Sequence, residues 1–175
     1  MIYFTFEKCE STTSARHEAG IRARNRLFSL FGIDESDAAK TESGKPYLKS
    51  GAAGFSISHC DNMALCALKC DRQIYDLPES VTVIFESGNG ILIGCDIECE
   101  SKEYEKDKIE RISNRFLGYT AKDKDEFLRG WTRGEAYGKY TGEGVRAAKN
   151  IPPERTLYTF TAEIENVRYI FSICV

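Results

Sequence analysis

The stretch Ile91-Leu92-Ile93-Gly94-Cys95-Asp96-Ile97-Glu98 governs the reading of the whole chain. Its first three residues are apolar and mostly β-branched, which suits a buried strand. Two carboxylates follow in an otherwise apolar run. Strand side chains alternate faces, so Asp96 and Glu98 should point one way and Cys95, Ile97 and Cys99 the other. Two like charges held side by side are costly unless something positive lies between them. A divalent cation answers that need, and oxygen-only ligands favour magnesium or a similar hard ion. The plainer alternative is a strand end whose acidic side chains face water.

Towards the N-terminus, Phe55-Ser56-Ile57-Ser58-His59 alternates apolar and polar, a strand with Ser56 and Ser58 on one face. It ends in one of only two histidines in the chain. The Ser58-His59 pair can bind an anion through hydroxyl and imidazole, or His59 can be structural. A Ser-His hydrolase is disfavoured, because strand neighbours point apart and no Gly-x-Ser-x-Gly elbow is present. Residues 63–69 read as the next strand. Gly44-Lys45-Pro46 presents a lysine in a rigid turn able to hold a phosphate, without the spacing of a P-loop. Residues 14–31 fit a helix, entered through the cap residues Ser11-Thr12-Thr13-Ser14 and closed by Gly32. It carries Arg16, Arg22, Arg24 and Arg26, either a solvated face or a basic surface for an acidic partner or for phosphates. Residues 1–6 alternate as a first strand.

Between these strands and the central stretch lie residues 70–89, read as an extra hairpin or loop. A short strand over 81–85, Pro78 and a Ser87-Gly88-Asn89-Gly90 turn punctuate them. Beyond Glu98 the chain is polar to residue 108, then helical over 109–117 and 125–140. Phe127, Leu128 and Trp131 form the apolar stripe of the second helix. Glu135 and Lys139, four apart, share one of its faces. Gly142-Glu143-Gly144 ends the helix, and strands over 158–164 and 168–175 flank a Glu165-Asn166 turn. Strand, helix, strands and then helix, strands again point to an α+β fold of two similar halves meeting near the central strand.

At 175 residues the chain makes one domain or two small lobes sharing a core. Hydrophobic residues at 42% and charged residues at 29% are the balance of a soluble globular protein, not of a disordered one. The net charge of −3 gives no global basic field for nucleic acid. No run approaches the roughly 18 apolar residues of a membrane span, and the N-terminus lacks the pattern of a signal peptide. The expectation is a cytoplasmic protein without membrane or nucleic-acid partners. Seven cysteines, an odd number sitting mostly in apolar runs, read as reduced thiols. The Cys66-x3-Cys70 and Cys95-x3-Cys99 spacings leave zinc as the alternative.

Four motifs now stand in order: Gly44-Lys45-Pro46; Phe55-Ser56-Ile57-Ser58-His59; Ile93-Gly94-Cys95-Asp96-Ile97-Glu98; and Trp131-Thr132-Arg133-Gly134-Glu135-Ala136-Tyr137-Gly138-Lys139. Together they resemble the 4′-phosphopantetheinyl transferases of the surfactin-synthetase-activating type, over the chain from Gly44 onward. The resemblance implies two similar α+β lobes in pseudo-twofold arrangement, here 1–90 and 91–175, with the active site between them and one chain sufficient as a monomer. It implies magnesium-dependent transfer of the 4′-phosphopantetheine group from coenzyme A to a serine of an acyl or peptidyl carrier protein. Such carriers serve fatty acid, polyketide or nonribosomal peptide biosynthesis, and adenosine 3′,5′-bisphosphate is released. Carried over by motif, Asp96, Glu98 and Glu135 would be metal ligands, and Glu135 would take the proton from the serine. Lys139 would reach the pyrophosphate, while Lys45, Ser58 and His59 would hold the adenosine end, the last two near its 3′-phosphate. Arg16 matches the family's basic helix motif only loosely, as a phosphate contact. Carrier proteins are typically acidic, so the arginines of the first helix would steer docking.

The chain departs from the family at Gly134, where the family carries lysine. Glycine in a helix costs about 1 kcal/mol relative to alanine, and a lost lysine motivates a second reading, a catalytically decayed coenzyme A-binding module. The neighbouring Arg133 points about 100° away around the helix. A third reading is a metal-dependent phosphohydrolase with water as the nucleophile.

Overall fold

The computed structural model describes residues 1–86 and 90–175, and the expected turn at Ser87-Gly88-Asn89 lies outside the described residues. The fold is α+β. The chain divides into two compact units, Met1–Ile93 with Val175, and Gly94–Cys174.

In the first unit, strand β1 (Ile2–Lys8) leads into helix α1 (Thr13–Phe31). Thr12 caps the helix by accepting a hydrogen bond from the Ala15 N–H. At the other end Gly32 takes φ +63°, and the N–H groups of Ile33 and Gly32 bond to the carbonyls of Phe28 and Ser29. That is a left-handed helix stop open at little cost only to glycine. Short strands β2 (Ala38–Lys40) and β3 (Pro46–Leu48) make a small hairpin. Strands β4 (Gly54–His59), β5 (Met63–Lys69) and β6 (Val81–Ile84) complete a four-stranded antiparallel sheet in the order β4-β5-β1-β6. All seven residues of β5 are buried. Leu27, Phe28 and Phe31 of α1 pack there with Tyr3, Phe55 and Leu68, and Phe28 meets Phe55 edge to face at 5.1 Å.

The second unit opens with strand β7 (Gly94–Cys99). Helix α2 (Lys106–Ile112) runs into a wider helical turn over Ser113–Leu117. Helix α3 (Lys124–Thr141) follows, capped by Asp123, whose carboxylate accepts from the Glu126 N–H, and closed by Gly142 at φ +84°. Strands β8 (Leu157–Ile164) and β9 (Val167–Cys174) form a hairpin. Its two turn residues, Glu165 and Asn166, have φ of 50° and 62°, as a two-residue turn matched to strand twist requires. The sheet order is β7-β9-β8, all antiparallel. In each unit, therefore, a strand, a long helix and a hairpin follow one another, and the hairpin's second strand lies beside the first strand.

The structure alters three sequence expectations. The central strand begins at Gly94, not Ile91: residues 91–93 pair with no strand among the described residues, and Leu92 is 53% exposed. The Ile91 carbonyl is instead pressed against Gly54, leaving no room for a side chain there. Residues 81–84 form no separate hairpin; β6 adds an edge to the main sheet by pairing with β1. Gly134, finally, is a packing requirement. A Cβ at this position would lie 2.6 Å from the Ala148 Cβ, and one at Gly138 would strike the Gly144 backbone. The face of α3 that carries both glycines receives the 3₁₀ segment Gly144–Asn150 at close range.

Replacing Gly134 by alanine removes about 1 kcal/mol of helix-propensity cost but overpacks the contact with Ala148 by roughly 1–3 kcal/mol. The Gly134→Ala variant should therefore be less stable than the parent by about 1 kcal/mol in urea unfolding. A gain in stability would show that the helix surface is loose at this point.

Candidate functional site

The second unit carries the carboxylate site. Gly94, Asp96 and Glu98 alternate onto one face of β7, towards α3. A Cβ at Gly94 would collide with the Ala136 carbonyl and the Tyr140 amide. The bare backbone thus lets the helix lie against the strand, one residue pair away from Asp96. Asp96 is 6% exposed, and its Oδ1 accepts a 2.8 Å hydrogen bond from Lys139 Nζ on α3. The Asp96 Oδ2 atom is buried with no hydrogen bond to it among the described residues.

Glu135, one turn before Lys139, completes the group. Burial pushes its carboxyl above the usual carboxylate range, the nearby Asp96 charge pushes it further, and Lys139 partly offsets both. For Lys139, burial alone favours the neutral amine; the neighbouring Asp96 charge above all, with its hydrogen bond and the Glu135 carboxylate, reverses this and raises its pKa. Glu98 turns to other partners: Tyr104 donates to it at 3.4 Å and Lys102 Nζ lies 3.7 Å away. Burial raises the Tyr104 phenol, and the Glu98 charge adds to the shift.

Beneath this group runs a row of hydroxyls. Asp96 is paired in register with Ser172 on β9, and Ser172 with Thr159 on β8. Ser172 Oγ lies 2.9 Å from the hydroxyls of both Thr159 and Thr132. Thr132 and Ser172 are fully buried, so their mutual bond fixes the axial position of α3 over the sheet. Thr132 precedes Glu135 by three and Lys139 by seven, one face of the helix. Its place on that face is the only sequence signal that could have found it; Ser172 left none.

Asp96, Glu98 and Glu135 supply the oxygen donors a hard divalent cation takes, and Asp96 with Glu135 form an electrostatically coupled pair. In donor type they fit magnesium. Among the described residues, no three His, Cys, Asp or Glu side chains are gathered into a ready metal cage. Lys139 supplies the positive charge beside Asp96, and Glu98 leans towards Lys102. The Cys66/Cys70 and Cys95/Cys99 spacings likewise form no such group, and no disulfide joins the seven cysteines.

In the first unit a cavity of about 420 Å³ lies between α1, the β2–β3 hairpin and β4. His17, Gly20, Ile21 and Arg24 line it from α1, Lys40 from β2, and Phe55, Ile57 and His59 from β4. Gly44 and Pro46 of the rigid turn also border it, and the Lys45 N–H bonds to Thr41 Oγ1. Lys45 itself lines a neighbouring cleft of about 150 Å³ with Tyr47 and Leu92. Ser58 is not brought to His59: it is buried on the opposite strand face with Ser56. His17, which no motif of the sequence singles out, is brought to the cavity instead. The spacing 17, 20, 21, 24 is one helical face and could have revealed it.

The arginines of α1 form no open basic surface. Arg22 and Arg26 both pair with Glu7, and Arg24 pairs with Glu35 and bonds Asn25. Burial raises the proton affinity of Glu7, but the bonds and charges of Arg22 and Arg26 outweigh it and hold the carboxyl below its usual range. Arg16 stands apart from these pairs, with its Nε buried and without a hydrogen-bond partner among the described residues. No helix among the described residues is long and apolar enough to cross a membrane.

Compared with known proteins, the chain matches no family model and no curated sequence.

Because the folded state raises the Glu135 pKa, its contribution favours the neutral acid and is lost as pH rises through the folded pKa. In metal-free protein, Glu135→Gln should therefore melt at the wild-type temperature near pH 4 and above it at pH 8. Thermal unfolding followed by circular dichroism at the two pH values tests this. A variant less stable at pH 8 would mean that the Glu135 charge is satisfied in the fold.

Proposed function

We propose that the protein is a magnesium-dependent 4′-phosphopantetheinyl transferase, moving the phosphopantetheine group of coenzyme A to a serine of an acyl or peptidyl carrier protein. The observation that carries this reading is the Asp96–Lys139 ion pair together with Glu135, a carboxyl that feels both charges and whose proton affinity is raised. A base of raised pKa is suited to taking the serine proton near neutral pH. As that proton leaves, the serine oxygen bonds to the β-phosphorus of coenzyme A, and the bond from that phosphorus to the bridging oxygen breaks. Adenosine 3′,5′-bisphosphate departs with the electron pair. Lys139, fixed by Asp96, offers an ammonium to the pyrophosphate. Asp96, Glu98 and Glu135 would hold a magnesium ion, which when bound neutralises charge growing on the leaving group. In the first unit, His59 and Lys45 border adjoining concavities suited to the adenosine end, with Arg16 on the same helix as His17.

The repeated order of strand, helix and hairpin supports the two-lobed transferase fold as the architecture. The contact of Gly134 with Ala148 gives the glycine a packing reason, and the missing lysine charge keeps the decayed coenzyme A binder as the alternative reading. The local pairing of Arg22, Arg24 and Arg26 moves the docking of an acidic carrier away from these three side chains.

Incubation of an apo acyl carrier protein with the protein, coenzyme A and magnesium should add about 340 Da, the mass of a phosphopantetheine group, in intact-mass measurement. Asp96→Ala should abolish the gain, and Glu135→Gln should reduce it by at least about 100-fold, the usual worth of a positioned base. Coenzyme A binding by calorimetry without any mass gain would favour the binding module. Release of adenosine 3′,5′-bisphosphate in the absence of carrier would favour the phosphohydrolase.

A further inference from the structure

Strand β6 is the outermost strand of the first unit's sheet and pairs only with β1 among the described residues. The bonding of β1 decides which main-chain groups of β6 stay open. The Met1 amine donates to the Cys70 carbonyl at 2.9 Å, and the Cys70 N–H to the Met1 carbonyl at 3.1 Å. Antiparallel bonding alternates along a strand, so Met1, Tyr3 and Thr5 direct their main-chain groups to β5, and Ile2 and Phe4 direct theirs to β6. Opposite Ile2 and Phe4 lie Ile84 and Thr82. The main-chain groups of Val81, Val83 and Phe85 therefore point away from the sheet. The Pro78 carbonyl takes the Val81 N–H at 2.9 Å. Left along the edge are the carbonyls of Val81 and Val83 and the N–H groups of Val83 and Phe85, with no hydrogen bond among the described residues. The edge is fixed in place, since Thr5 Oγ1 donates to the Ser80 carbonyl at 2.6 Å.

The side chains suit such an edge to pairing. Val-Thr-Val-Ile-Phe over 81–85 is β-branched or aromatic throughout. It holds neither lysine nor proline, residues by which sheets blunt their edges; only its shortness does so. Val83, with Ile74 and Leu77, packs against the apolar cluster under α1. Phe85 continues the row of Val81 and Val83 and is 71% exposed. The charges around the strand are mostly of one sign. Residues 71–86 carry Asp71, Asp76, Glu79 and Glu86 against the single cation Arg72. Arg72 donates to the Phe31 carbonyl at 2.7 Å and lies over the Phe31 ring. The Met1 amine is turned to Cys70, and Arg26 of α1 to Glu7. An incoming strand thus finds an apolar row between two carboxylates, Glu79 before β6 and Glu86 after it.

We propose that the open edge of β6 takes up an extended basic segment of another protein as a fifth, antiparallel strand of this four-stranded sheet. The residue opposite Val83 would exchange two main-chain bonds with it, and the flanking residues would bond to the Val81 carbonyl and the Phe85 N–H. Alternate apolar side chains would lie along Val83 and Phe85, while lysines or arginines at the ends would meet Glu79 and Glu86. A second copy of this chain fits the edge less well. Two β6 strands paired antiparallel about Val83 would set Glu86 of each opposite Ser80 of the other, one residue from its Glu79. Like charges facing each other across a ladder are destabilising. The partner is opposite in charge to the acidic carrier of the transferase reading, and this surface does not rest on that reading.

The test uses the whole protein and the synthetic peptide Lys-Val-Lys-Val-Thr-Val-Lys-Val-Lys. In NMR titration the Val83 and Phe85 amides should shift saturably, and at saturation both should exchange with solvent at least about tenfold more slowly. The same peptide N-methylated at its five central residues cannot donate from either edge. It should bind at least about tenfold more weakly, as should a peptide with glutamate in place of every lysine. Val83→Pro removes an N–H that faces no strand, a place where edge strands accept proline. This variant should keep the parent circular dichroism and melting temperature and lose the peptide; if it does not fold, the N-methylated peptide decides the matter on the parent protein. Absence of binding overturns the proposal, as does equal binding of the acidic or N-methylated peptide. Binding that leaves the Val83 and Phe85 amides exchanging freely also overturns it. Protection of these amides without peptide, together with a dimer in sedimentation, would assign the edge to a second copy and overturn it too.

Discussion

The approach of α3 to β7 at Gly94 is the constraint on which the second unit depends. With no side chain at Gly94, the backbone of the Ala136–Tyr140 turn rests directly on the strand. A strand repeats every two residues and a helix about every three and a half. The residue two beyond Gly94 on the same strand face is Asp96, and the helix residue that meets it is Lys139. The opposite side of α3 shows the same economy of space, since Gly134 and Gly138 admit the Gly144–Asn150 segment. The helix is thus fitted closely on two sides and pinned along its axis by the Thr132–Ser172 hydroxyl pair.

Electrostatics follows from that placement. Asp96 is buried at a point where an isolated carboxylate would be strongly penalised, and the Lys139 ammonium offsets the cost. Glu135, one turn away, receives less of that compensation while feeling the charge on Asp96, so its proton affinity rises.

The first unit spends its charges differently. Three of its four helix arginines are tied to Glu7 and Glu35, which stabilises the sheet–helix contact and the loop after Gly32 while leaving little outward field. Lys40 and both histidines of the chain line one cavity beside α1.

The sequence by itself determined most of the elements and several of their ends. Apolar periodicity placed α1, α3 and most strands, because burial on one face imposes a period of 3.6 or 2 on the chain. Gly32, Gly142 and the Glu165-Asn166 turn marked stops through local backbone geometry, which needs no distant partner. Strand and helix spacing set Asp96 with Glu98 on one face and Glu135 with Lys139 on another, and only the family resemblance joined the two pairs. Only the tertiary structure decided what each face meets. Ile91–Ile93 look like strand but find no pairing partner among the described residues, Gly134 looks like a flaw until Ala148 is seen against it, and Ser58 and His59 are neighbours in sequence that part across a sheet. His17 and His59 lie 42 positions apart in sequence and line one cavity because a helix packs on a strand. The physical reason is the same in each case: local geometry sets a side chain's direction, whereas its partner comes from a part of the chain whose position only packing establishes.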